Sequence, residues 1–488
     1  MRLLLCCESY PPHRGGVQEV MRQIAERMAA RGHDVTVATT RHPQRKSDIV
    51  NGVTVRAFKA GGKTVGGLNG EIDEYRKFVR TFDADAILIM AAQQWSFDAL
   101  WPVLDDIKAR KVFIPCGFSG LFEPDFAQYF KDLPAVLRKF DHLVFNAEKY
   151  RDIDFVRKLG LGNFTVLPNG ISEADFEQEA DDQFRRRLGI PEDAFLFLTV
   201  GNPIEAKGHR QVVEAFSRLD TGGQRSVLLS VAGWPGGASA SAELGSPGEP
   251  TDRPADNVPG LKRLLGYAQP LGRKLSSSRL GVGVRYAGFA AQRIWQISQK
   301  EGWGGFTRML RRKLAQRKSG PPLERIENLA AEASAQPFKR VILTDFRRQD
   351  LIQAYFAADL FVFASTVEYS PLVLFEAAAA GTPFLTVPVG NADEIVRWTG
   401  GGILCEAAKD ERGYTRVDPE TLAKAMADCM KDRERLERSG AMARERWRQF
   451  FSWKVVASYY EDILAGRTPD VRLTGIQETK PEGVSGVA

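Results

Sequence analysis

The sequence predicts an α/β protein built from two doubly wound parallel-sheet domains. Three observations predict it. Short apolar, β-prone runs alternate with helical stretches along most of the chain. Two of those runs, Arg2–Cys7 and Leu196–Asn202, lead into a Gly-containing loop that opens a helix, the start of a doubly wound unit. Between the two units, Asn169-Gly170 forces a turn and marks a boundary.

At 488 residues the chain is long enough for two or three domains with sizeable cores. A composition of 43% hydrophobic and 26% charged residues is that of a globular protein. Five cysteines, an odd number without C-x-x-C spacing, argue for a reducing compartment and against zinc. MRLLLCC runs straight into a strand rather than a signal peptide, and no uncharged apolar run approaches the roughly 20 residues of a membrane span. Cytoplasmic residence is expected, with peripheral attachment to the inner face of a membrane left open.

In the first domain, Arg2–Cys7 reads as a strand and Gly15-Gly16 as a loop. An amphipathic helix follows to Arg31, and Gly32-His33 turns the chain into a second strand. The loop lacks G-x-G-x-x-G, which argues against a nicotinamide site. Its glycines either let the backbone approach a ligand or only make a tight turn. Further strands are expected at Val53–Phe58, Ala86–Met90, Lys111–Pro115, Leu143–Asn146 and Phe164–Pro168. Helices are expected at Glu71–Phe82, Ser96–Arg110 and Ala147–Leu159. Asp83 and Asp85 form a D-x-D pair, but as a turn before a strand without further ligands; the histidines show no metal spacing, so no metal is expected. Phe113–Pro124 follows a strand end and belongs on the crevice rim where open α/β sheets bind ligands; Cys116 in it reads as a packed thiol.

The first domain is expected to span 1–172 and the second 173–451. In the second, Gly201 ends a strand and Lys207-Gly208 opens a helix. A lysine there either presents a point charge to a phosphate or is merely solvated. The densest signal is Leu360 to Pro388. Leu360–Ser365 reads as a buried strand, Ser370 as an N-cap, Pro371 as the first helical residue and Gly381 as the stop. The N-terminus of such a helix carries unpaired N–H groups and partial positive charge, and can hold a phosphate. Pro371 has no N–H, so Leu372 and Val373 are the expected donors. Glu368 precedes the helix and Glu376 lies in its second turn. One carboxylate could reach a sugar and the other a ribose, or both are surface glutamates of an ordinary βαβ unit.

Glu368 and Glu376 with SPLVLFEAAAAGTPF around them make an E-x7-E motif in context, and here the chain resembles the retaining GT-B glycosyltransferases of the family 4 type. The resemblance covers roughly Met1–Trp234 and Lys339–Leu464. It implies two facing α/β domains with an interdomain cleft, and a helix at 452–465 that crosses back onto the first domain. It makes Glu368, which contacts the transferred sugar, and Lys207 the catalytic pair. It makes Gly16, Gly201, Asn202, Lys207, Ser370, Leu372, Val373 and Glu376 donor-binding, with Glu376 on the ribose and Leu372 and Val373 on the diphosphate. Backbone near Thr344–Phe346 would meet the base. Cys116 and Gly117 fall on the acceptor side, where many members carry His-Gly; Asn202 stands where the family usually has Arg. The implied function is retaining, metal-independent hexosyl transfer from a nucleotide-sugar substrate to a glycan or lipid-linked acceptor, in polysaccharide biosynthesis of the cell envelope. No cofactor and no nucleic-acid partner are implied. Alternatives are a non-catalytic nucleotide-sugar-binding scaffold, favoured by Cys116 and Asn202, or a GT-B nucleotide-sugar epimerase.

One stretch departs from this pattern. Gly236–Phe338 is an insertion with 16 Lys+Arg against 8 Asp+Glu, whereas the rest of the chain is 51 against 53. Its first part reads as a flexible Gly/Ser/Pro loop. Residues 261–319 hold 14 basic residues and one acid among interleaved aromatics, which suits an anionic membrane surface. A polyanion or a plain solvated helical extension would suit it too. The tail 466–488 is polar and expected to be disordered.

Overall fold

The apolar runs of the first half fold into one sheet. Its strands are β1 Arg2–Cys6, β2 Asp34–Thr40, β3 Ile49–Val50, β4 Val53–Phe58, β7 Ala86–Met90, β8 Arg110–Ile114, β9 His142–Phe145 and β10 Phe164–Val166; β5 Ala60–Lys63 and β6 Gly67–Gly70 form a separate hairpin. The structure, a computed structural model, describes residues 1–13, 15–233 and 322–471. Among them the sheet order is β10-β9-β8-β7-β1-β2-β4-β3, parallel except for the β3–β4 pair. Chain order reverses between β1 and β7, and a crevice opens beyond the carboxyl ends of strands at such a reversal.

The second sheet has the order β13-β12-β11-β14-β15-β16: β11 Phe195–Val200, β12 Ser226–Val231, β13 Lys339–Thr344, β14 Leu360–Phe363, β15 Phe384–Thr386 and β16 Gly402–Leu404. All its described pairs are parallel, and every residue of β11, β12 and β14 is buried, as expected of strands covered on both faces. Its reversal lies between β11 and β14, so the loops after Val200 and Phe363 must emerge side by side.

The strand expectations hold within a residue or two. Two helix expectations need correction. Ser96–Arg110 is a single turn, Trp95–Asp98, then a 3-10 stretch, Trp101–Asp106. Pro102 cannot donate in a continuing helix, and Asp98 turns its carboxylate to Tyr129 Oη (2.9 Å) and the Thr64 N–H (2.8 Å). The third helix begins at Arg151 rather than Ala147, because the Glu148 and Lys149 N–H groups are given to Glu394. A helix at Ala127–Leu137 and the β5–β6 hairpin had no clear sequence signal.

The helix Trp453–Leu464 packs into the first lobe's core: Trp453, Val456, Ala457, Tyr460 and Ile463 are buried with Leu3, Leu5, Ile24 and Leu88. Arg31 and His33 both reach Glu461, at 2.5 and 2.9 Å. The basic segment 261–319 lies outside the described residues, as do residues 472–488 of the tail. The last part of the 236–338 stretch is helical, Pro322–Ser334, and Ala330 and Ala333 are buried. Among the described residues no helix is long and apolar enough to cross a membrane.

Candidate functional site between the lobes

The sheet reversal brings Lys207 and Glu368 together. Lys207 ends a 3-10 turn, Glu205–Lys207, after β11; Glu368 lies in the loop after β14. The loops are stitched by Thr366 N–H to the Ala206 carbonyl (2.8 Å), with Ser365 Oγ 2.8 Å from the same oxygen. Such an approach requires Gly208: it has φ +76°, and a Cβ there would stand 2.0 Å from the Ala364 carbonyl oxygen. Lys207 Nζ then donates to Glu368 Oε1 at 2.6 Å, and Ser365 Oγ donates to the same oxygen at 2.8 Å.

The helix after this loop is Leu372–Ala380, ended by Gly381. Ser370 is not its side-chain cap. Pro371 takes that position, and Ser370 Oγ instead accepts from Asn169 Nδ2 of the first lobe at 3.2 Å. The first amides, of Leu372 and Val373, have no intrahelical carbonyl to bond. The Leu372 side chain joins the first lobe's core, and a Cβ on Gly16 would lie 3.5 Å from Leu372 Cδ1. Gly16 and the N-terminal end of this helix therefore face each other across the lobes. Gly201 lies against Lys207 and His209, and the Asn202 side chain is exposed.

Glu376 sits apart from Glu368, with its own partners. It is 9% exposed; Arg348 Nη1 donates to its Oε1 (2.5 Å) and Tyr355 Oη to its Oε2 (3.2 Å). Arg348 also holds Asp175 at 2.7 Å. Burial opposes the Arg348 charge, but Glu376 and Asp175 outweigh it and raise the guanidinium's pKa above its ordinary value. Sequence reasoning missed Arg348, Tyr355 and Asp175.

On the other rim, Cys116, Gly117 and Phe118 have successive positive φ values of 60°, 95° and 48°. Burial, then the Asp152 charge, push the Cys116 thiol up to about 12, so it is a packed group rather than a nucleophile. The Gly117 N–H donates to Asp152 Oδ2 at 2.9 Å. Burial pushes the Asp152 carboxyl up to about 6, against hydrogen bonds from Tyr369, Ile153 and Gly117. Asp85 accepts from the Arg2 N–H and Asp83 lies 3.7 Å from the Arg2 guanidinium, so the D-x-D pair braces a strand start.

Glu394 bridges the lobes by accepting from the Glu148 and Lys149 N–H groups, at 2.8 and 2.7 Å. Burial pushes its carboxyl up to about 7, against those two amides. The folded chain therefore keeps a proton that the unfolded chain loses at lower pH. Stability from this group is present in acid and is lost as pH rises through about 7. Relative to wild type, the Glu394→Gln variant should gain melting temperature steadily from about pH 5 to about pH 8. A difference that stays constant over that range would contradict the assignment.

Two family models match the chain: Glycosyltransferase Family 4 over residues 14–175 and Glycosyl transferases group 1 over residues 317–432. Glycogen synthase of Mycobacterium tuberculosis is 30% identical over 138 residues, 27% of this chain and 31% of that protein. N-acetyl-alpha-D-glucosaminyl L-malate synthase of Bacillus anthracis is 33% identical over 122 residues, 24% of this chain and 30% of that protein. The chain thus aligns with about a third of these curated relatives' length. Among solved structures, sucrose-phosphate synthase of Thermosynechococcus elongatus superposes with TM-score 0.63 at 18% identity, covering 95% of this chain and 99% of that one. Anabaena HepE in complex with UDP gives TM-score 0.58 at 16% identity, covering 96% and 100%. At such identities the superpositions establish the fold, two parallel-sheet α/β lobes of the GT-B kind. With both family models matched on that fold, the chain belongs to the GT-B glycosyltransferases, its first lobe of family 4 type and its second of group 1.

Proposed function

We propose that the chain transfers a sugar, with retention of configuration, from a nucleotide-sugar donor to a hydroxyl on a glycan or lipid-linked acceptor. One observation carries this reading: the Lys207–Glu368 pair, 2.6 Å apart, stands at the sheet reversal beside a helix N-terminus that abuts the first lobe at Gly16. Departure of a nucleoside diphosphate builds negative charge. A lysine ammonium and the Leu372 and Val373 amides are the groups that would offset it, without a metal ion. Glu368, oriented by Lys207 and Ser365, is the carboxylate for the transferred sugar, and Glu376 the one for the ribose. A phosphate oxygen of the leaving group would take the acceptor's proton, so no protein base is needed. The second lobe would bind the donor and the first present the acceptor, with closure excluding the water that would hydrolyse the donor.

Solved relatives of this fold hold UDP and UDP-glucose, which makes UDP-sugars the first donors to test. The test is nucleoside diphosphate release from a donor panel with glycan and lipid-extract acceptors, followed by the anomeric configuration of the product by NMR. Acceptor-dependent release with retention supports the proposal. Donor binding without release would favour a nucleotide-sugar-binding scaffold, as the exposed Asn202 and the packed Cys116 would suit. Release or isomerisation without any acceptor would favour an epimerase. The basic segment 261–319 is proposed to hold the enzyme at an anionic membrane surface. Its deletion should abolish binding to anionic liposomes; unchanged binding would refute that role.

A further inference from the structure

We propose that Tyr369 is a positioning residue, an interlobe latch that sets the Glu368 loop of the second lobe against the Cys116–Phe118 loop of the first. Its role in turnover rests on the transfer reading of Glu368; the latch itself does not.

Tyr369 follows Glu368 directly, and its side chain leaves its own lobe. The phenol oxygen accepts from the Asn146 N–H at 2.9 Å and lies beside Asp152, the carboxylate that accepts from the Gly117 N–H. The ring leans on Tyr150, with centroids 4.9 Å apart, and lies so close to Gly117 that a Cβ there would be 3.0 Å from Tyr369 Cγ. Glycine at 117 thus serves both its φ of 95° and the passage of this ring.

The surrounding hydrogen bonds close a circuit. Tyr150 Oη donates to the Glu368 carbonyl at 2.7 Å, so the first lobe grips the backbone of the proposed catalytic residue. Asn391 N–H holds the Tyr369 carbonyl at 3.0 Å, while Asn391 Nδ2 donates to the Asn146 carbonyl at 2.8 Å. Asn146 is therefore held on both its N–H and its C=O by the second lobe. The side chain of Glu368 is fixed by Lys207 and Ser365 from its own lobe, and its backbone by Tyr150 from the other. Separating the lobes would have to break this circuit and shift the Glu368 backbone.

The left-handed run 116–118 adds a second argument. Two of the three residues are not glycine, and such conformations cost on the order of 1–3 kcal/mol each. They persist where surroundings over-determine them. Asp152 and the Tyr369 ring both meet this run at Gly117, alongside the packing of Phe118 against Phe130 and Phe155, so the latch also touches the rim on which an acceptor would rest.

The test is Tyr369→Phe, which keeps the ring on Gly117 and removes only the hydroxyl. Two readouts are needed: the interlobe distance distribution from a fluorophore pair, with and without UDP, and steady-state kinetics on a donor found by the screen above. The latch predicts a shift toward longer distances in the variant. It also predicts a kcat lowered about 10- to 100-fold, as expected of a small misplacement of reacting groups, with UDP affinity unchanged. In a double-mutant cycle with Asp152→Asn, the second change should add little to the first. Wild-type distances and kcat in Tyr369→Phe, even with a lowered melting temperature, would reduce the residue to packing and overturn the proposal. If wild type turns over no nucleotide sugar, the transfer reading fails and the distance distribution alone decides the latch.

Discussion

Replacing Lys207 with alanine is expected to lower turnover of the nucleotide sugar about 100- to 1000-fold, the range seen when one preorganised stabiliser of developing charge is removed. The effect should fall mainly on kcat. The ammonium acts on a charge that grows as the sugar–phosphate bond breaks, and a group stronger in the transition state than in the ground state changes kcat first. Lys207 has a second task, since its Nζ lies 2.6 Å from Glu368 Oε1 and orients that carboxylate. Without it, Ser365 Oγ alone steers that oxygen. Lys207→Arg keeps the charge but replaces a point cation with a planar fork, and should recover activity only in part. Glu368→Ala should likewise slow transfer with donor affinity retained. Because the two side chains act as one unit, the double variant should be little worse than either single one. Nucleoside diphosphate release measured across a donor titration gives kcat and KM separately. Turnover of Lys207→Ala within about threefold of wild type would remove the lysine from the charge-offsetting role.

Much of this site could be read from the chain because its parts are local. The strand ending at Ser365, the loop with Glu368 and the helix ending at Gly381 occupy one continuous run, and each boundary has its own signal in residue type. Both sheets were legible for a related reason: buried parallel strands appear as short apolar runs between helices. That Lys207 meets Glu368 follows only once the sheet order is known, because 161 residues separate them. The Tyr369 contacts were hidden altogether. An aromatic beside a glutamate has no periodicity to betray it, and its Asn146 partner lies 223 residues away. Arg348 looked like an ordinary charge at a helix start, and nothing in its neighbours signals that it would be shared by Asp175 and Glu376. Ser370 misled in the opposite direction: a good capping residue was drawn away by Asn169 of the other lobe, a tertiary contact that outcompetes a local one.

Changing Glu376 to alanine is expected to weaken UDP binding about 10- to 100-fold, equivalent to about 1.4–2.7 kcal/mol, the contribution of one or two hydrogen bonds to a charged group. The carboxylate has acceptor capacity left for that task. Arg348 takes one site on Oε1 and Tyr355 one on Oε2, whereas an ionised carboxylate offers roughly four. A ribose diol could therefore bind while the internal network stays intact. The alanine variant carries a stability cost as well: it leaves the Tyr355 hydroxyl buried and removes one of the two carboxylates from Arg348. The Arg348 side chain is 43% exposed, so solvent and Asp175 keep that cost below that of breaking a fully buried pair. Glu376→Gln separates the two effects, since its amide oxygen can still accept from one donor and its volume is unchanged. Titration calorimetry with UDP, alongside melting curves without ligand, measures both quantities. If the ribose assignment holds, affinity falls in both variants and kcat at saturating donor changes less than in Glu368→Ala. If Glu376 serves only the Arg348–Asp175 network, the melting temperature falls while UDP affinity stays at the wild-type value, and the ribose must be sought elsewhere on the second lobe.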